Sequence, residues 1–168
     1  MNRGRAIKIV AIAVVAVSAV IVGGWRAERF FSSTAFCISC HVMRYPFEEM
    51  KRSLHYAASG GIPECGDCHL PRDPVDRTIT HAAKGIKDLY GVLTKDISSQ
   101  EGFSRYRDEL ADSAAADLRR WDGGPCRGCH GVPVPSSAPG RAAHMKLQRG
   151  EATCIDCHRG IFHTAPGT

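Results

Sequence analysis

CISCHVM, residues 37–43, sets two cysteines three positions apart and a histidine directly after the second. The same C-x-x-C-H pattern returns as Cys65-Cys68-His69, Cys126-Cys129-His130 and Cys154-Cys157-His158, and the four copies use all eight cysteines. This is the attachment signature of c-type haem. Two thiols one helical turn apart can each form a thioether to one haem vinyl group, and the following imidazole points at the iron. Zinc ribbons and redox dithiols also use C-x-x-C, but neither needs a histidine in the adjacent position every time. No cysteine remains for structural disulfides, and the chemistry belongs to a compartment outside the cytoplasm. The sequence therefore predicts a tetrahaem cytochrome c held through Cys37, Cys40, Cys65, Cys68, Cys126, Cys129, Cys154 and Cys157, with His41, His69, His130 and His158 as proximal ligands.

Outward from the first motif, the chain splits into an apolar beginning and a polar remainder. Residues 9–25 carry no charge; Arg3, Arg5 and Lys8 precede them, and Trp25, Phe30 and Phe31 close the run. With Ala6 and Ile7 included, the stretch reaches about 20 residues, enough for a bilayer core of roughly 30 Å. The leading positive charges place the N-terminus in the cytoplasm and everything after Trp25 outside. Small residues around Ala16 and Ser18 offer a signal-peptidase site, but the apolar run continues past them to an aromatic belt, so an uncleaved anchor is expected.

The net charge of +5 in 168 residues looks basic. Four haems add two propionates each, roughly eight negative charges, which leaves the loaded protein near neutral and removes any charge argument for nucleic-acid binding. The 17 glycines and 9 prolines suit a chain that wraps prosthetic groups better than a regular sheet or bundle.

The polar remainder carries an internal ruler. Cys37 to Cys65 and Cys126 to Cys154 both span 28 residues, and His55 and His144 each lie 18 residues after the first cysteine of their half. Two dihaem units with one additional histidine each are the simplest account. Between them, residues 98–121 predict an amphipathic helix, opened by Ser98 and Glu101 as a capping box and stopped by Gly123-Gly124-Pro125. A second helix is expected from Val75 to Leu93, and residues 131–140 read as a Pro-rich loop. No strand pattern persists. The expected organisation is mainly α with extensive irregular structure: 1–30 a cytoplasmic stub and transmembrane anchor, 31–95 a first dihaem unit, 96–125 a connecting helix, and 126–168 a second dihaem unit.

Four irons have eight axial positions. Beyond the motif histidines the chain offers His55, His81, His144 and His163. The ruler favours His55 and His144 as distal ligands, and His163 follows His158 by five residues. Bis-histidine ligation suits electron transfer rather than substrate binding. His81 is less determined: it shares the segment RTITHAAKGIKDLYG with Lys84, Lys87 and Asp88, and lies two helical turns from Asp88 on one face. Met43 is a core side chain by default, yet a thioether so close to the first motif could bind its iron, in competition with His41.

The single anchor, CISCHVM, SLHY, ECGDCHLP, GIKDLYG, ELADSAAADLRRW, CRGCH and TCIDCHRGIFH together resemble the NapC/NirT/NrfH family of membrane-anchored multihaem quinol dehydrogenases. The resemblance covers nearly the whole chain. It implies a bacterial cytoplasmic-membrane protein with its haem domain in the periplasm, taking electrons from the membrane quinol pool. A periplasmic reductase or other multihaem protein would receive them. It further implies that Met43 ligates haem 1 and that Asp88 is the acidic residue of the quinol site. The lysine that NrfH-type members carry seven residues earlier is replaced here by His81, which could hydrogen-bond quinol, ligate haem 1, or do neither; Lys84 is a further candidate contact. By the same resemblance His55 would serve haem 4, His163 haem 3 and His144 haem 2. Two other uses of such a chain are an electron relay between proteins and a quinone reductase fed by a periplasmic dehydrogenase.

Independently of the resemblance, Cys37 is 12 residues past Trp25, which keeps haem 1 near the outer membrane surface. A one-electron centre beside a proton acceptor, Asp88 or His81, is what quinol oxidation requires.

Overall fold

A computed structural model describes residues 2–57, 61–131 and 134–163. Within them the chain is helical and irregular, without a strand. The helices in chain order are α1 (Arg3–Phe31), α2 (Thr34–Cys37), α3 (Arg44–Lys51), α4 (Leu54–Ala57), α5 (Cys65–His69), α6 (Pro74–Thr94), α7 (Gln100–Arg120), α8 (Gly124–Arg127), α9 (Ala138–Gln148) and α10 (Cys154–Cys157). A 3-10 turn, His41–Met43, links α2 to α3.

Three elements are long. α1 is long and apolar enough to cross a membrane, and none of its residues is buried. It ends in a cluster of Phe30, Phe31 and Phe36, whose ring centres lie 4.9–5.7 Å apart. α6 starts where Asp73 accepts hydrogen bonds from the Val75 and Asp76 amides, with Pro74 in the first turn. α7 is capped by Ser99, whose Oγ accepts from Gly102 N at 3.0 Å. The expected cap, Ser98, lies one residue too early and serves elsewhere: its carbonyl accepts from the Tyr45 hydroxyl at 3.1 Å. The expected loop 131–140 also shortens, because Ser137 caps α9 and Ala138, Pro139 and Gly140 form its first turn. Residues 132 and 133 of that loop lie outside the described residues.

α6 and α7 form an antiparallel pair. Lys84 meets Asp117, and eleven residues later Lys95 meets Glu109 and lies over the Tyr106 ring at 4.8 Å. α7 then ties down the rest. Arg107 makes two hydrogen bonds to Glu49 of α3, Arg119 binds Asp156 of α10 at 2.6 Å, and Asp112 binds Arg159.

The apolar core is sparse: Val42, Met50, Leu70, Ile97, Phe103, Ala115 and Ile155 are buried, and no large side chain among the described residues is fully enclosed. So thin a core falls short of what a domain this size normally needs. The polypeptide is built around something it does not itself supply.

Candidate functional site

The four motifs fold as short turns that the rest of the chain presses together. In the third and fourth, the backbone closes one turn from His130 N to Cys126 O and from His158 N to Cys154 O, both 2.9 Å. Each puts a cysteine and its histidine on one side of a helical turn. The second motif opens with a capping box between Glu64 and Asp67, the fourth with one between Thr153 and Asp156.

The motifs lie side by side in sequence order. The thiols of Cys37 and Cys65 are within hydrogen-bonding reach, Cys68 feels the thiols of Cys126 and Cys129, and Cys126 faces Cys154. Two glycines permit this. Gly66 brings its amide to the Ser32 carbonyl at 3.1 Å, where a Cβ would stand 2.7 Å from that oxygen. Gly123 turns into the third motif with φ +64°, beside the Cys154 Sγ.

Three imidazole pairs face one another across the space between motifs. His69 and His163 have ring centres 6.0 Å apart, His55 and His130 6.0 Å, and His144 and His158 6.2 Å. Each pair joins one motif histidine to one distal histidine. Two imidazoles on opposite sides of one iron, with Fe–N near 2.0 Å, would put their ring centres about 6 Å apart. The residues therefore fit covalent haem: all eight cysteines are free thiols, those at Cys40, Cys129 and Cys157 are exposed, and three ring pairs stand at the separation of an axial pair.

The pairing differs from the one the resemblance implies. His55 faces the third motif rather than the fourth, His163 the second rather than the third, and His144 the fourth rather than the second. The matched 18-residue spacing of His55 and His144 consequently does not give matched partners: one crosses to the other half and one stays in its own. The cause is the path of the chain. The C-terminal stretch runs back along α3, where the His163 Nδ1 sits 2.8 Å from the Pro46 carbonyl and Arg107 donates to the His163 carbonyl at 3.0 Å. Phe162 stacks near His55 at 4.5 Å. An Nδ1–H donated to Pro46 leaves Nε2 of His163 free to ligate. The His69 ring faces His163 and keeps open surface. Desolvation, with His163 and Lys84 nearby and Asp117 opposing, pushes its pKa down to about 4. The His55 Nδ1 is buried without a protein partner.

The first motif has no such pair. The Nε2 of His41 lies 2.9 Å from the Ser98 carbonyl, and Met43 beside it keeps 37 % of its surface exposed. His81 sits at the foot of α1, its Nδ1 3.4 Å from the Ser32 hydroxyl, which donates to Glu28; Arg77 binds the same carboxylate. Asp88 follows two turns along the same face of α6. Desolvation, helped by Asp117 and opposed by Lys84 and Lys87, holds its carboxyl above the usual range. Lys84 is engaged: it pairs with Asp117 and lies 5.6 Å over the Trp121 ring. Sequence reasoning missed Glu49, Arg107 and Asp117, whose charges look like surface charges until their partners are known. It also missed the Ser98 and Pro46 carbonyls, since a backbone oxygen has no sequence signature.

The model of the NapC/NirT cytochrome c family, N-terminal region, matches residues 2–168. A probable tetraheme cytochrome c-type protein of Nitrosomonas europaea is 42% identical over 86% of this chain and 62% of its own length. The cytochrome c-type protein TorY of Escherichia coli O157:H7 is 38% identical over 88% of this chain and 43% of its own length. The denitrification system component NirT of Stutzerimonas stutzeri is 36% identical over 86% of this chain and 75% of its own. The chain thus spans between about two fifths and three fifths of the length of the first two relatives.

Proposed function

The chain belongs to the NapC/NirT cytochrome c family, and from that premise we propose that it oxidises quinol at the membrane surface and delivers the electrons to a periplasmic reductase. The observation that carries the reading is the face of α6 that sets His81 against the end of the membrane-length helix α1, with Asp88 two turns further on. Quinol oxidation yields quinone, two electrons and two protons. Bound haems supply one-electron redox chemistry. His81 and Asp88 accept the protons: imidazole offers a ring nitrogen as base, and a carboxyl held above its usual range is a better base than an ordinary aspartate. Lys84, tied to Asp117, fixes α6 against α7 rather than reaching for substrate.

Met43 is the proposed protein ligand of the first iron, because Ser98 already occupies the His41 Nε2. His69 with His163, His130 with His55, and His158 with His144 are the proposed axial pairs of the other three. The side-by-side order of the motifs suits single electrons moving from the first to the fourth, within two dihaem units. Haem reduction by a quinol analogue in membranes tests the reading. Asp88→Asn combined with His81→Ala should abolish it while dithionite still reduces all four haems. Reduction at the parent rate would sink the quinol site and leave a relay between proteins.

A further inference from the structure

α6 is built inside out. Its apolar residues recur at alternating spacings of four and three, through Val75, Ile79, Ala82, Ile86, Leu89 and Leu93. A second stripe, Arg77, His81, Lys84 and Asp88, has the same spacing but is offset by two residues, about 200° around the helix. In a water-soluble domain the apolar stripe packs inward and the polar one faces solvent. Here the polar stripe makes the contacts, Arg77 with Glu28, His81 with Ser32 and Lys84 with Asp117. The apolar stripe faces out, with Val75, Ile79, Ile86, Leu89 and Leu93 between 61% and 76% exposed. Two decades of residues with this pattern make a continuous strip about 30 Å long, larger than the isolated apolar residues of an ordinary surface.

We propose that this outer face of α6 lies in the lipid at the membrane boundary, as an interfacial helix beside the anchor. The occupant follows from continuity with α1. The Arg77–Glu28 pair and the His81–Ser32 contact fasten the beginning of α6 to the end of α1. The exposed Phe30 and Phe31 stand at that same junction. An apolar face joined to the end of a membrane-spanning helix, with a polar face turned to the protein, is the arrangement that lies in an interface, buried by several ångströms among headgroups and acyl chains. It would set His81 and Asp88 at the edge where a lipid-soluble quinol emerges. The inference rests on the reading of α1 as a membrane anchor.

Full-length, haem-loaded protein in nanodiscs of phosphatidylethanolamine and phosphatidylglycerol, doped with a phospholipid bearing an acyl-chain diazirine, tests it. After irradiation and digestion, mass spectrometry reads lipid adducts along the chain. Segment 75–93 should carry adducts at a yield comparable to α1 and about tenfold above α9. In Ile86→Glu/Leu93→Glu, that yield should fall about tenfold, with α1 labelling and the haem absorbance unchanged. Labelling of α1 with segment 75–93 at the α9 level would overturn this inference and leave the anchor standing. Absence of label from α1 as well would overturn both.

Discussion

At the scale of single residues, the proposed ligand side chains are held by neighbours that carry no haem signature. Glu49 is buried at 5% exposure, and Arg107 answers it with two hydrogen bonds while a third bond fixes the carbonyl of His163. Arg107→Ala leaves that carboxylate unpaired and should cost about 2–3 kcal/mol in chemical denaturation. Adding Glu49→Gln should recover part of the loss, a double-mutant coupling that independent sites would not show. On the proposed His69–His163 pairing, His163→Met should turn a bis-histidine centre into a Met/His centre and raise its potential, read by potentiometric titration. Three potentials should stay put. Asp88 gives the pH test. Its folded-state pKa is raised, so its contribution to stability is complete below the unfolded value of about 3.9 and is lost as pH rises through the folded value. Thermal melting of Asp88→Asn should match the parent in acid and exceed it at neutral pH.

At the scale of elements, the long helices were legible because their signals are local. The expected helices 75–93 and 98–121 are α6 and α7 to within two residues, since periodicity, Asp73-Pro74 and the Gly123-Gly124-Pro125 stop all act within a turn. The choice of Ser99 over Ser98 as cap was not legible. Both are good caps by type, and the decision falls to the Tyr45 and His41 contacts that claim the Ser98 carbonyl. Local close approach gives a further test. A Cβ on Gly66 would collide with the Ser32 carbonyl and side chain, so Gly66→Ala should push α5 off the end of α1 at a cost of about 1–3 kcal/mol. Loss of the second haem would then register as three haems per chain instead of four in a pyridine haemochrome assay.

At the scale of the whole molecule, the thin core makes the prosthetic groups part of the fold. A chain produced without haem attachment should keep α1 helical in detergent but lose ordered structure across 31–168, seen as reduced circular dichroism and rapid proteolysis there. The cysteine spacing, the apolar run and the two amphipathic repeats are covalent or short-range patterns, so the sequence by itself determined the haem count, the membrane-length helix and the bounds of α6 and α7. What only the tertiary structure decided was which groups meet. His55 reaches His130 across 75 residues, and His163 rests on Pro46 across 117. Lys84 turns to Asp117, and the apolar face of α6 turns outward. Such meetings depend on where the chain returns after long detours, and on backbone carbonyls that every residue shares. Spacing along the sequence encodes neither.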